Sequence, residues 1–98
     1  MIEKLERDLP HGSGIDYDWQ IEETEKHFIC RNAWHYMNAN GYYDGILPFT
    51  LKINKANFAD FKLTFSVNSA GRYRVNKGMI REYLEDLFQW RLSEIKEA

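Results

Sequence analysis

Cysteine and long apolar runs are scarce in this chain of 98 residues, which has a single cysteine, Cys30. One cysteine forms no intramolecular disulfide, and this predicts a reducing, cytoplasmic location. No stretch approaches the ~18 consecutive apolar residues of a membrane span, and residues 1–8 lack the apolar segment of a signal peptide. We therefore expect a soluble protein that does not associate with a membrane.

A strong net charge of one sign is also missing, since the formal charge is -2. A near-neutral balance argues against a uniformly basic nucleic-acid binder and against a polyacidic mimic of nucleic acid. The charges are nevertheless segregated. Residues 1–48 carry nine acidic and four basic side chains, residues 49–81 one and seven, and residues 82–98 five and two. Such a distribution predicts one basic and one acidic face.

Apolar residues are plentiful at 44%, and 98 residues correspond to one domain. We expect a single domain over 1–98, with an N-terminal arm at 1–10, antiparallel strands within 15–75 and a helix at 77–96. The arm has apolar residues at helical spacing and is compatible with either a short helix or an extended segment.

Alternating apolar residues predict the strands. The two regular cases have apolar residues at 47, 49, 51 and 53 and at 61, 63, 65 and 67, joined by a loop at 54–60. A further strand is expected at 15–21, where apolar residues fall at 15, 17, 19 and 21, and a less regular one at 27–37, with a polar turn at 22–26 between them. A short last strand is expected at 72–75.

From Lys77 onward, apolar residues recur at three- and four-residue steps, which predicts an amphipathic helix of about five turns with Asn76 as its N-cap. The apolar stripe of this helix and the apolar faces of the strands must cover each other. The predicted fold is α+β, a meander-like antiparallel sheet of four to five strands packed by one long C-terminal helix.

A catalytic or metal-binding signature is hard to find. The glycines around Ser13 suggest a nucleophile or a phosphate loop, but neither pattern is complete, and a tight turn leading into the first strand explains them. The three histidines have no metal-ligand spacing. We expect no metal and no cofactor, and an enzyme built on Ser13, Asp16, His35 and Asp44 is the third hypothesis.

The densest group of aromatic and polar residues lies at 34–45. Tyrosine and tryptophan with polar tips suit a protein interface, although the same residues also serve turns and packing. The predicted partner-binding residues are His35, Tyr36, Asn38, Tyr42, Tyr43 and Asp44.

A second candidate surface is the polar side of the two regular strands. It contains Lys52 and Lys62, and Arg72 and Arg74 extend it if the last strand forms. Lysines and arginines on a flat sheet face suit a phosphate backbone, whereas a solvated sheet face explains the same pattern without any ligand. The aromatic residues of these strands are expected on the opposite side.

The segments at 9–16 and 35–45 together resemble a family of small uncharacterised bacteriophage and prophage proteins. That family pairs Leu-Pro-x-Gly-Ser-Gly-Ile-Asp with His-x-Met-Asn-x-x-Gly-x-Tyr-Asp-Gly, and the likeness covers roughly residues 9–92. Ile46 departs from it, since tryptophan is expected after Asp-Gly. The resemblance implies a mobile-element origin and makes Ser13 and Asp16 recognisable positions of the first turn, but it implies no reaction. A physical interpretation is that Asp16 or Asp44 caps the turns while His35 and Asn38 hydrogen-bond across them.

The leading hypothesis is therefore a small phage-type accessory protein that binds a host protein, such as a component of a defence system. Nucleic-acid binding through the basic sheet face is the alternative. Both a monomer and a homodimer are compatible with the sequence, the latter through an edge strand or through Trp90.

Overall fold

A computed structural model describes residues 1–12, 14–37, 43–65 and 77–97. The elements follow in the order α1 (Ile2–Asp8), β1 (Gln20–Glu23), β2 (His27–Met37), β3 (Tyr43–Asn54), β4 (Asn57–Phe65) and α2 (Lys77–Glu97). The four strands form one antiparallel sheet in sequence order. The predicted α+β class, the meander and the helix packed on the sheet are confirmed. The short strand at 72–75 and the cap Asn76 fall outside the described residues.

The core lies between the sheet and the two helices. In the sheet, side chains at alternate positions of β3 and β4 are buried, including Leu51, Ile53 and Leu63. In α2 the buried residues recur every three or four positions: Ile80, Leu84, Phe88, Leu92 and Ile95. The buried face of the strands, with its period of two, therefore packs against the buried stripe of α2, with its period of 3.6, as the sequence pattern predicts.

The N-terminal arm is a short helix that belongs to the core. Leu5 and Leu9 are fully buried, and Arg91 of α2 donates from Nε to the carbonyl oxygen of Asp8 at 2.6 Å. This bond satisfies a carbonyl that the end of α1 leaves without a partner in its own helix. The helical alternative for residues 1–10 is therefore the one that forms.

The predicted strand at 15–21 is wrong in its middle. Ile15 pairs with Trp34 and Gln20 pairs with Arg31, so this segment advances five positions while β2 advances three. Ile15 and Trp19 are buried, as the alternation predicts, and Nε1 of Trp19 donates to the carbonyl oxygen of Pro10 at 3.0 Å. The extra residues instead turn Tyr17, expected on the same face, out to 72% exposure. β1 also extends to Glu23, where a turn was predicted.

The predicted seven-residue loop at 54–60 is also wrong, because β4 already begins at Asn57. The Oδ1 atoms of Asn54 and Asn57 accept hydrogen bonds from the backbone N–H groups of Ala56 and Ala59, at 2.9 and 3.1 Å. These side-chain bonds stabilise a tight hairpin turn at Lys55 and Ala56. The register shifts next to the turn, which places Phe58 in the core beside Phe28.

Cys30 is fully buried in β2, and burial raises the pKa of its thiol to about 12 from an ordinary value of 9.0. The native state therefore keeps a proton that the unfolded chain loses, so stability present below pH 9 falls as the pH rises towards 12. We expect a loss of up to about 4 kcal/mol over this range. Urea unfolding at several alkaline pH values measures it. A Cys30→Val variant has no thiol, so its free energy of unfolding should fall less steeply with pH than that of the wild type. Equal pH dependence of the two proteins would contradict a raised pKa for Cys30.

Candidate functional site

The side of the sheet opposite the helices is the candidate functional site. The alternation of β2, β3 and β4 places thirteen side chains on it, and none of them is buried. We call this surface the outer face, and it consists of Ile29, Arg31, Ala33, His35, Ile46, Pro48, Thr50, Lys52, Lys62 and Thr64, with His27, Asn54 and Asp60 at the end near the β3–β4 turn, where Nδ2 of Asn54 donates to Oδ2 of Asp60 at 3.0 Å. The polar-side prediction for Lys52 and Lys62 is confirmed, since both are exposed.

Two lysines stand directly opposite each other on the outer face. Lys52 of β3 is the cross-strand partner of Lys62 of β4, and Thr50 and Thr64 form the neighbouring pair. Directly opposed side chains in an antiparallel pair lie about 5 Å apart at Cβ, and like charges there are destabilising. Among the described residues neither lysine has an ion-pair partner. The arrangement therefore holds two positive charges together at a cost in stability.

Arg31 adds a third cation beside the lysines, but an acidic residue partly neutralises it. Its Nη1 lies 3.3 Å from Oε2 of Glu22 on β1. Both side chains are more than half exposed, so this pair contributes little to stability. The basic half of the outer face is thus centred on Lys52 and Lys62.

The other half of the outer face is apolar. Ile46 is 58% exposed and is the cross-strand partner of His35, while exposed Pro48 is paired with Ala33. These apolar side chains are continuous with the basic half through Arg31 and Thr50, which are also cross-strand partners. The outer face therefore combines contact area with charge.

A hydrogen-bonded acid and imidazole lie at the edge of this apolar half. Nε2 of His35 is 2.7 Å from Oδ1 of Asp16, and the two side chains are 28% and 51% exposed. This contact matches the interpretation that His35 bonds across the first turn, with Asp16 as its partner. Both residues are predicted site residues, and the structure brings them together.

Backbone bonds place Asp16 beside His35. The N–H of His35 donates to the carbonyl oxygen of Gly14 at 2.6 Å, and the N–H of Asp16 donates to that of Ala33 at 3.3 Å. Asn32 then donates from Nδ2 to the carbonyl oxygen of Asp16 at 2.9 Å. Gly14 makes this approach feasible because its φ is +102° and it packs against the indole of Trp34. The prediction that the glycines serve a tight turn agrees with this geometry.

Asp16 and His35 are two of the four residues that the enzyme hypothesis brings together in one site. A carboxylate that orients an imidazole is useful for catalysis only when the imidazole activates a nucleophile or a water. Ser13 lies outside the described residues, and the side chain of Asp44 is not described. Among the described side chains, no three of His, Cys, Asp or Glu gather at a point where they could hold a metal ion.

The remaining predicted residues lie partly within the sheet. Tyr36 is the penultimate residue of β2 and pairs with Gly45, while Tyr43 and Asp44 begin β3. Their backbones are described and their side chains are not. The other predicted residues fall outside the described part of the chain: Asn38, Tyr42, Arg72 and Arg74.

Sequence reasoning missed Ile46 as a site residue. β3 begins at Tyr43, four residues before the predicted alternation at 47–53 starts. The sequence did contain the information. When the alternation at 47–53 is continued by one residue towards the N-terminus, Ile46 falls on the same side of the strand as Lys52, and buried Leu47 falls on the other side. The partnership of Trp34 with Tyr83 of α2, with ring centroids 5.9 Å apart, was also missed, since it joins residues far apart in the chain.

No protein-family model matches the chain, and no curated protein or solved structure is significantly similar to it. The resemblance to small phage proteins therefore stays a prediction. In the described part of the chain, neither helix combines the length and the apolar character needed to cross a membrane.

Proposed function

We propose that this chain is a binding protein whose outer face contacts an acidic surface on a partner protein. The observation that carries the proposal is the uncovered pairing of Lys52 with Lys62 next to the exposed apolar half around Ile46. Apolar area supplies affinity, and unpaired charges at its border supply specificity and rapid association. The resemblance to phage proteins adds that the partner belongs to the host cell, for instance a component of a defence system.

The predicted aromatic residues remain part of the proposed interface. His35 lies on the outer face, and Tyr36, Asn38, Tyr42, Tyr43 and Asp44 follow it along the chain. Tyrosines are typical of the energetically dominant part of an interface.

A charge-reversal experiment tests the proposal. The tagged protein and its Lys52→Glu/Lys62→Glu variant are compared in quantitative pull-downs from host lysate, with circular dichroism to show that both fold. Lys4→Glu/Arg7→Glu in α1 is the matched control, because it makes the same charge change away from the outer face. We expect the outer-face variant to lose a specific partner that the control keeps.

The same pull-down includes an Ile46→Ser variant and a His35→Ala/Tyr42→Ala/Tyr43→Ala variant, which weaken the apolar half and the adjoining aromatic residues. We expect both to reduce recovery of the same partner. A partner retained by all outer-face variants, or lost equally from the α1 control, would refute binding through the outer face.

Replacing one lysine should separate stability from binding. In Lys62→Thr the repulsion with Lys52 disappears and a residue with good strand propensity takes its place. We expect urea unfolding to show a gain of about 0.3–1 kcal/mol, while recovery of the partner falls. A variant that is less stable than the wild type would show that the opposed lysines carry no cost and would remove one support of the proposal.

Nucleic-acid binding is the second candidate, and the opposed lysines favour it as well. It is the weaker one because, among its described side chains, the outer face has no phenylalanine, tyrosine or tryptophan on which bases could stack. Phe49 is buried, and Phe61 and Phe65 pack against the core, as predicted. Fluorescence anisotropy with labelled single- and double-stranded DNA and RNA tests it. Binding through this face should weaken steeply with salt, and its salt slope should fall by about one for each lysine removed.

A further inference from the structure

The C-terminal helix has a second apolar stripe beside the one that faces the core. Met79, Tyr83 and Trp90 are 67%, 48% and 58% exposed, and Leu87 is partly buried between them. Their spacing of four, four and three positions places them on one face of a helix. We call these four residues the α2 stripe. At 1.5 Å per residue it is about 16 Å long.

Part of the α2 stripe serves packing within the domain, since Leu87 packs against the core and Tyr83 adjoins Trp34. The fully buried residues of α2 form the separate stripe that meets the sheet. Met79 and Trp90, at the two ends of the α2 stripe, nevertheless expose more than half of their surface. Large apolar side chains aligned on a helix surface, rather than scattered singly, mark an interaction site.

Acidic side chains border the α2 stripe. Glu82 and Asp86 are exposed and lie one helical turn apart along one side of it, and Glu94 lies one turn beyond Trp90. Arg81 donates from Nη1 to the carbonyl oxygen of Leu63 at 2.8 Å. Arg91 donates to that of Asp8, but its Nη1 also pairs with Oε2 of Glu94 at 3.0 Å, and its guanidinium lies 5.9 Å from the ring centroid of Trp90. The negative border of the stripe is therefore the side formed by Glu82 and Asp86, neither of which has an ion-pair partner among the described residues.

We propose that the α2 stripe docks a basic amphipathic helix of a partner protein, about three turns long. A straight, convex row of side chains on a helix is complemented by the groove of another helix, with apolar anchors at steps of three and four. The acidic border selects lysine and arginine on the partner and disfavours both an anionic membrane and a second copy, whose own acidic border would face the first. This surface lies on the opposite side of the domain from the outer face and is independent of it.

Defined peptides test this docking. The probe is a fluorescein-labelled 18-residue amphipathic peptide with leucine and tryptophan on one face and lysine on the other. Its comparisons are a version with glutamate in place of lysine and a basic version with scrambled order. We expect the full chain to bind the basic amphipathic peptide at least tenfold more tightly than either comparison in fluorescence anisotropy.

Variants of the full chain locate the binding. Met79→Ser/Trp90→Ser should weaken it at least tenfold, and Glu82→Lys/Asp86→Lys should shift the preference to the glutamate peptide. Ile46→Ser and Lys52→Glu/Lys62→Glu, which alter the outer face, should leave it unchanged. Because these two sets of variants act on opposite faces, failure here is distinguishable from failure of the proposed function.

Three outcomes would overturn the proposal. They are no preference for the basic amphipathic peptide, equal binding by the stripe variants, and a wild-type dimer that Trp90→Ser converts to a monomer in light scattering. The last outcome would assign the α2 stripe to a second copy of the chain.

Discussion

Gly14→Ala should destabilise this protein by about 2–5 kcal/mol, a large share of the stability of a small domain. A Cβ atom at this position would lie 2.8 Å from the carbonyl oxygen of His35 and 2.8 Å from Nε1 of Trp34. One neighbour is backbone in a central strand and the other is a packed ring, so neither moves cheaply. The φ of +102° adds strain that an L-residue rarely accepts. Urea unfolding followed by circular dichroism measures the loss.

Gly12→Ala is the matched control for this prediction. Gly12 also has a positive φ, of +83°, but the nearest atom to an added Cβ would be the hydroxyl of Tyr17 at 3.6 Å, an ordinary contact. Only the backbone strain applies, so we expect a loss of about 1 kcal/mol. Equal losses in the two variants would show that the close approach of Gly14 to β2 is not what holds Asp16 beside His35.

Phe88→Ala should destabilise the protein by about 3–5 kcal/mol. The side chain is fully buried, and its ring centroid lies 6.0 Å from that of Trp19 and 5.5 Å from that of Phe49. It therefore joins α2, the sheet and the segment that precedes β1. Removing the ring leaves a cavity where all three meet. Thermal and urea unfolding measure the effect, and Phe88→Leu provides a milder version if the alanine variant does not fold.

Trp90→Ala, two residues along the same helix, is the control. Trp90 is 58% exposed, and its only described ring contact is with the guanidinium of Arg91, 5.9 Å from the ring centroid. We expect a change within about 0.5 kcal/mol, as for other surface substitutions. A loss comparable to that of Phe88→Ala would mean that the α2 stripe supports the fold and is not available for docking.

The fold was predictable from the sequence wherever the spacing of apolar residues, every second position in strands and every third or fourth in helices, alone decides which side chains are buried. Leu51 and Leu63 alternate strictly with polar residues, and Leu84 and Phe88 recur at helical spacing, so burial follows the pattern at each of them. Prediction failed where the pairing of the strands overrides this spacing. Tyr17 leaves the alternation and is 72% exposed, because the segment that precedes β1 has two more residues than the length of β2 that it follows, while Trp19 packs against Phe49 and Phe88 in the core.

The prediction of the hairpin between β3 and β4 failed because the turn depends on side-chain hydrogen bonds, which the alternation of apolar and polar residues does not reveal. Asn54 and Asn57 accept backbone hydrogen bonds through their side chains, and these bonds define the turn. The register shift that follows puts Phe58 and Phe61 on the same side although they are three residues apart. A strict period of two excludes such a pair, so the start of β4 looked like a loop.

The candidate site was partly visible in the sequence. Lys52 and Lys62 were placed on the polar side of their strands, but strand alternation alone does not reveal that they face each other. The pairing of Asp16 with His35 depends on how residues 14–16 lie along β2, and the close approach of Gly14 to that strand fixes this position. The residue types therefore indicated the candidate site residues, whereas the register of the strand pairing decides which of these residues are in contact.

Photo-crosslinking from the outer face tests the central claim most directly. A benzoylphenylalanine placed at Ile46, which is 58% exposed, lies between His35 and the lysine pair, and one at exposed Glu3 in α1 serves as the control. Irradiation in host cells should yield one prominent protein adduct from position 46 that Lys52→Glu/Lys62→Glu removes, and none of it from position 3. Adducts of equal pattern from both positions, or an adduct from position 46 that survives the lysine reversal, would contradict binding through the outer face.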